Sequence, residues 1–429
     1  MAITVVNTTI ALAQGDYYNL GATSGSIVVG RDGLISLTSY GGAQTTPIFG
    51  AESNHFVRIE GSVYGITAIQ LGDSPSVDRY ENLVVAQTGV VQASSNAITI
   101  LAGSSDITNF GTIMAGGGIY LSAQGTGESN IVNAGMIYGT GYGIRATQST
   151  EVIKLLNTGT IEVSLATASE PAVRMGQAAD IVQNRGTIIG DIDLNNGNDI
   201  YDGRGGTVVG AILGGGGNDL FRLGLSAEDI DGGIGRDTLD FRYSSGVRVA
   251  LDGGFVNSGV AEGDIYTGIE VIYGSNIGAD VIRGSALADT LYGGGGKDVM
   301  AGLAGNDALV GGNGADVLNG GLGNDAFVFA NKLQGVDTIT DFTNTFGNND
   351  FFRLVAAGFG AGLTAGPLAA ARFWATNTNL AHDADDRFIF RTTDKTLWFD
   401  ANGNAAGGLT LIADLQAGAM MTAADIVLV

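Results

Sequence analysis

The sequence predicts an all-β fold: a parallel β-helix with coils of 22–28 residues, running into a tighter parallel β-roll and ending in a β-rich C-terminal segment. Three observations predict it. A phrase built on Asn-x-Gly-x-Ile recurs through residues 50–190, a nine-residue phrase with a fixed aspartate recurs through 275–328, and the composition shifts near residue 190. Residues 1–189 hold 13 acids and 7 bases, whereas residues 190–429 hold 30 acids, 13 bases and most of the Gly-rich runs. The hydrophobic fraction of 45% is that of a chain that folds.

The first-half phrase reads IEGSVYG from Ile59, NFGTIMAG from Asn109, NAGMIYG from Asn133, NTGTIEV from Asn157 and NRGTIIG from Asn184, with a looser copy, AQTGVVQA, from Ala86. Its glycines, Gly61, Gly89, Gly111, Gly135, Gly159 and Gly186, are 28, 22, 24, 24 and 27 residues apart. A second apolar phrase follows each, such as AITIL from Ala97 and GIYL from Gly118. Two short β-branched stretches per repeat, parted by Gly/Asn/Thr corners, describe one coil of a solenoid in which each strand stacks on its equivalent one coil later. Asn before the corner tolerates left-handed backbone and can bond its own turn. An antiparallel sandwich would not need the phrase to recur at near-constant spacing.

The second-half phrase divides Ser275–Val328 into six nines: SNIGADVIR, GSALADTLY, GGGGKDVMA, GLAGNDALV, GGNGADVLN and GGLGNDAFV. The sixth position is always Asp (Asp280, Asp289, Asp298, Asp307, Asp316, Asp325) and the eighth always apolar. With 33 Asp in 429 residues, six in register by chance has a probability on the order of 10⁻⁷. Each nine reads as a turn of six residues and a strand of three, so two nines make a coil of 18. Asp280, Asp298 and Asp316 then line one edge and Asp289, Asp307 and Asp325 the other. Strands about 4.8 Å apart bring these carboxylates close enough to repel unless a cation lies between them. Turn glycines at Gly294, Gly296, Gly305, Gly312, Gly314, Gly321 and Gly323 free backbone carbonyls to face the same place. An all-oxygen cage of carboxylates and carbonyls suits Ca²⁺, and no His or Cys is at hand to favour zinc.

Here the chain resembles the RTX family (repeats-in-toxin), whose nonapeptide is GGxGxDxUx. A shorter block, GGGGNDLFR at 214–222 and GGIGRDTLD at 232–240, brackets a degenerate nine and sets Asp219 and Asp237 18 apart. GDIDLNNGNDIYDG repeats 20 residues later as GAILGGGGNDLFRL, aligning Asp199 with Asp219, as if larger coils shrink into the roll. The resemblance implies several calcium ions between turns 18 apart, held by the position-six Asp and carbonyls of the first five positions. SNIGADVIR and GSALADTLY lack the first-turn glycines, which weakens the sites at their turns. VDTITDF looks like the strand that caps such rolls, with Asp337 and Asp341 as further ligands. The last hundred residues resemble the C-terminal domain of type I secretion substrates, with Phe373, Trp374, Phe388, Phe390, Trp398 and Phe399 as its core. The amino terminus offers an A-L-A triplet but no basic region, so export information is expected elsewhere.

Net charge, −23 from 43 acids and 20 bases, argues against nucleic acid and anionic membranes and leaves cations as partners. No apolar run approaches the ~18 residues of a membrane span. Without Cys there is no disulfide and no thiol chemistry. No HExxH or GxSxG is present, GGGGKD at 293–298 lacks the Ser/Thr of a phosphate loop, and DANGN at Asp400 starts like an EF-hand loop but has Leu411 in place of the closing Glu. His55 reads as a loop or cap residue.

The expected organisation is a cap and first strands in residues 1–50, the solenoid in 51–200, the RTX roll in 201–342 and a secretion-type domain in 343–429. The expected function is that of a secreted, extracellular, non-enzymatic calcium-binding protein serving as a structural, surface-layer, matrix or adhesive element. Its partners would be calcium, the type I secretion machinery, and its own copies or a cell-surface polysaccharide. The alternative is a polysaccharide-active enzyme, a lyase or epimerase, or a carbohydrate-binding module on the solenoid face. A row of acids with Arg or Lys on that face would favour the alternative; a plain Thr/Ser/Asn face would favour the structural role.

Overall fold

β-Branched residues in short runs, punctuated by Gly and Asn, have one economical way to bury their apolar side: strand upon strand in parallel, with every inward position over its counterpart. The computed structural model, which describes residues 3–12, 17–20, 25–37, 46–74, 77–164 and 170–429, folds this way. The chain forms two compact units, Met1–Asp237 with Asp264–Gly268, and Thr238–Gly263 with Ile269–Val429.

In the first unit one inward column runs Val57, Leu83, Ile107, Ile131, Leu155, Val182, Tyr201, Phe221, each in parallel register with the next. The steps are near 24–27 residues down to Val182, then contract to 19 and 20. At that point an aromatic ring replaces the aliphatic side chain, filling the column with fewer residues per coil. A second column runs Val63, Val91, Ile113, Ile137, Ile161, Ile188, Val208. The sequence shows two apolar phrases per coil, but the structure has three strand legs. The extra one, such as Asp106–Asn109 or Val152–Asn157, ends on the corner Asn and merges into the corner phrase when read as sequence. The described strands Ile3–Val6 and Ser26–Val29 continue the same stack as Phe56–Ile59.

In the second unit, Val271–Tyr273, Thr290–Gly296, Ala308–Gly314 and Ala326–Phe329 form one parallel face. Val281–Arg283, Val299–Ala304, Val317–Leu322 and Asp337–Ile339 form the other. The C-terminal segment is not set apart from this roll. Phe351–Leu354 and Ile426–Leu428 extend the first face, while Leu409–Leu415 extends the second in parallel and then turns antiparallel through Thr396–Asp400 and Phe388–Arg391. Phe388, Phe390 and Phe399 are buried as expected, but Trp374 is exposed and stacked on the His382 ring, and Phe373 and Trp398 are half-buried. DANGN is the turn of the hairpin joining Thr396–Asp400 to Leu409–Leu415.

Candidate metal centre

The position-six aspartates stand at the coil edges, where the chain leaves a turn and enters a strand. On one edge the backbone N–H of Asp280 donates to Oδ1 of Asp298 (2.8 Å), that of Asp298 to Asp316 (2.9 Å), and that of Asp316 to Asp337 (3.0 Å). On the other, Asp289 donates to Asp307 (2.8 Å), Asp307 to Asp325 (2.8 Å) and Asp325 to Asp350 (3.1 Å). The two expected rows of aspartates are therefore the two edges of the roll. The first unit carries a third ladder: Asp180 N–H to Asp199 Oδ1 (2.6 Å), Asp199 to Asp219 (2.8 Å) and Asp219 to Asp237 (2.7 Å).

The second carboxylate oxygen divides these turns into two kinds. Oδ2 of Asp280 accepts the Ser275 N–H, Oδ2 of Asp289 the Ser285 N–H, and Oδ2 of Asp350 the Thr343 N–H, at 2.6, 2.6 and 2.7 Å. These turns are closed on that oxygen, although Oδ1 of Asp289 is itself buried without a donor among the described residues. Oδ2 of Asp219, Asp298, Asp307, Asp316 and Asp325 is buried and meets no hydrogen-bond donor among the described residues. These turns are open, and their backbone differs. Their second residue is left-handed, as at Gly294 (φ 100°) and Gly312 (φ 96°), whereas Asn276 and Ser285 in the closed turns are not. Glycine is needed again at position four: a Cβ on Gly323 would lie 1.5 Å from the Gly305 carbonyl oxygen, and one on Gly314 1.8 Å from that of Gly296. Gly296, Gly305, Gly321 and Gly323 are also left-handed; Gly314 is not.

Burial raises these carboxyls above the usual range, to about 7 for Asp298, Asp307 and Asp337 and to about 6 for Asp289 and Asp350. Repulsion from the aspartates one coil away adds to this at Asp298 and Asp307. Buried acceptor oxygens of one sign without donors fit a hard cation and little else. The residues fit calcium: Asp298, Asp307, Asp316 and Asp325 would offer Oδ2, and turn carbonyls would complete an oxygen shell. A bound ion would supply the positive charge the edges lack. Asp341 is placed differently, since its two oxygens accept the N–H groups of Gly320 and Gly321 at 2.9 and 2.6 Å, the geometry of a cap.

Asp180, Asp199 and Asp350 escape the nonapeptide pattern. Asp350 lies 25 residues from Asp325, although its phrase NNDFF parallels GNDAF. His382, Asp383 and Asp386 bring ligand atoms within 4.8 Å of one another, but Asp386 is occupied by the backbone N–H groups of His382 and Asp383. His55 is buried at its corner, with Nδ1 3.0 Å from the Glu81 carboxylate.

This edge chemistry defines a calcium-type β-roll. In agreement, residues 211–239, 274–309 and 292–327 match the RTX calcium-binding nonapeptide repeat, and these segments are RTX repeats. No curated protein matches the chain. Among solved structures, it is similar to the AlgE6R3 subunit from the Azotobacter vinelandii mannuronan C5-epimerase, at 29% identity over 35% of this chain and 78% of that one, with a TM-score of 0.24. No helix among the described residues is long and apolar enough to cross a membrane.

Proposed function

We propose that this chain is a secreted, non-enzymatic RTX protein that folds on calcium outside the cell and serves there as a structural, surface-layer, matrix or adhesive element. The observation that carries the reading is the set of buried carboxylate oxygens without donors along the roll edges. Where calcium is scarce, their repulsion and the entropy of the glycines keep residues 200–340 open, which suits passage through a type I secretion channel. Extracellular modules bind calcium with dissociation constants of about 10⁻⁴–10⁻³ M, so millimolar calcium fills the turns. Each ion at ten times its dissociation constant adds about 1.4 kcal/mol, and several ions decide the folding equilibrium. Stacked solenoids could then join through their ends or faces.

One row favours a second reading, a carbohydrate-binding or polysaccharide-active face. Tyr120, Arg145, Arg174 and Asp193 follow one another in register across successive coils. Glu170 pairs with Arg174 at 2.6 Å, and the Arg145 guanidinium lies over the Tyr142 ring at 5.7 Å. Elsewhere the outward row Thr112, Met136, Thr160, Thr187, Thr207 carries no charge, as a structural face would.

A calcium titration from chelator to about 10 mM, following circular dichroism and light scattering together, tests the proposal. Growth of β signal with large particles supports it. Folding to a persistent monomer counts against assembly and favours the second reading, to be pursued with uronate polymers. No response to calcium refutes the calcium-dependent fold.

A further inference from the structure

We propose that the turn at Leu194–Asp199, which lies outside the nonapeptide repeats, is itself a divalent-cation site shared with the turn at Gly214–Asp219 one coil on. The inference rests on the calcium reading above and extends it beyond the residues the repeat pattern reaches.

LNNGND has a single glycine and sits where the coils are still 19 and 20 residues long, so the nonapeptide does not describe it. It nevertheless has the open form. Asn195, equivalent to Gly215, is left-handed at φ 75°, beside 95° at Gly215, and Asn is among the few side chains that accept this backbone. Asp199 is fully buried. Its Oδ1 accepts the Asp180 N–H, and its Oδ2 meets no donor among the described residues. Asp219 repeats this arrangement one coil on, with Oδ1 taken by the Asp199 N–H and Oδ2 left over.

Arg185 and Arg204 are both drawn to Asp202, at 3.0 and 2.6 Å. The carbonyl side matches the roll as well: a Cβ on Gly217 would lie 1.5 Å from the Gly197 oxygen, the same distance as between Gly323 and the Gly305 oxygen. The preceding turn marks where the ladder stops, because Asp180 spends its Oδ2 on the Gly176 N–H. Two buried carboxylates in adjacent coils, each with one oxygen to spare and carbonyls pressed against the same turn, suit a hard divalent ion that accepts irregular oxygen cages.

The test uses the full chain with Asp199→Asn, and Asp307→Asn as the control within the roll. Asn keeps Oδ1 as acceptor for Asp180 while removing the charge. Calcium is counted by equilibrium dialysis, and melting is followed in chelator and in calcium. Asp199→Asn is expected to bind about one ion fewer, to melt lower than the wild type in calcium, and to melt no lower in chelator, where it removes a buried unpaired charge. A full ion count in Asp199→Asn, while Asp307→Asn loses ions, overturns this inference alone. Equal destabilisation with and without calcium overturns it as well, by showing a purely structural role. A wild-type chain that binds no calcium refutes the calcium reading itself.

Discussion

The coils of the first half and the nonapeptide roll stack their strands in the same parallel way, yet they close their corners with different chemistry. In the first half a column of buried asparagines stands at the corner. Nδ2 of Asn109 donates to Oδ1 of Asn133 at 2.8 Å, Asn133 to Asn157 at 2.8 Å, and Asn157 to Asn184 at 2.9 Å. An amide both donates and accepts, so this ladder is neutral and complete in itself. In the roll the corresponding column is aspartate, which only accepts. In its open turns one oxygen accepts a backbone N–H and the other is buried without a donor among the described residues. On the proposed function, one oxygen in place of one NH₂ separates a solenoid that stands by itself from one whose folding depends on a cation.

The largest effect should come from putting the second chemistry into the first. Asn133→Asp removes the donor to Asn157 and to the Thr160 carbonyl and buries an unpaired charge. We expect a loss of about 3–5 kcal/mol in urea denaturation, with no recovery in calcium, because the corner glycines Gly111, Gly135 and Gly159 lack the left-handed backbone of the roll's turn glycines. Next, Asp307→Asn borders turns on both sides. It should forfeit about 3 kcal/mol of calcium-dependent stability, two ions at about 1.4 kcal/mol each, and nothing in chelator.

A smaller effect separates burial from ion binding. Burial first, then mutual repulsion, lifts Glu228 to about 7, and burial lifts Asp264 to about 6, while Asp264 Oδ1 accepts the Glu228 N–H at 2.9 Å. Carboxyls raised in the folded state favour the fold fully below their unfolded values, and this contribution is lost as pH rises through the folded ones. Stability in chelator should therefore fall between about pH 4 and 7, and Glu228→Gln should flatten that slope in a urea-midpoint series. Smallest, Leu303 occupies an open turn at φ 88°, where a side chain is strained; Leu303→Gly should raise stability by about 1 kcal/mol in thermal melts.

The periodic parts of this molecule were readable as sequence because period and coil coincide. Asp280 to Asp325 recur every nine residues, and every second one lands on the same edge. Reading failed where that identity lapsed. The 20-residue repeat aligns Asp199 with Asp219 but gives it no ligand role, while Asp180 lies 19 residues before Asp199 and Asp350 follows a loop of irregular length, so no fixed spacing reaches those two. The difference between open and closed turns was half visible: Ser275 and Ser285 stand where glycine is missing, but the N–H that each gives to its aspartate depends on backbone direction. The resemblance of the last hundred residues places Trp374 in a core, whereas its ring is exposed and stacked on His382, a contact that no sequence spacing signals.

Amide hydrogen exchange of the full chain, in chelator and in millimolar calcium, tests the central claim most directly. The account predicts that peptides within 290–325 gain at least ~10²-fold protection with calcium while those carrying Asn109, Asn133 and Asn157 stay the same. Equal protection of the roll in both conditions, or an equal gain in both regions, would contradict it.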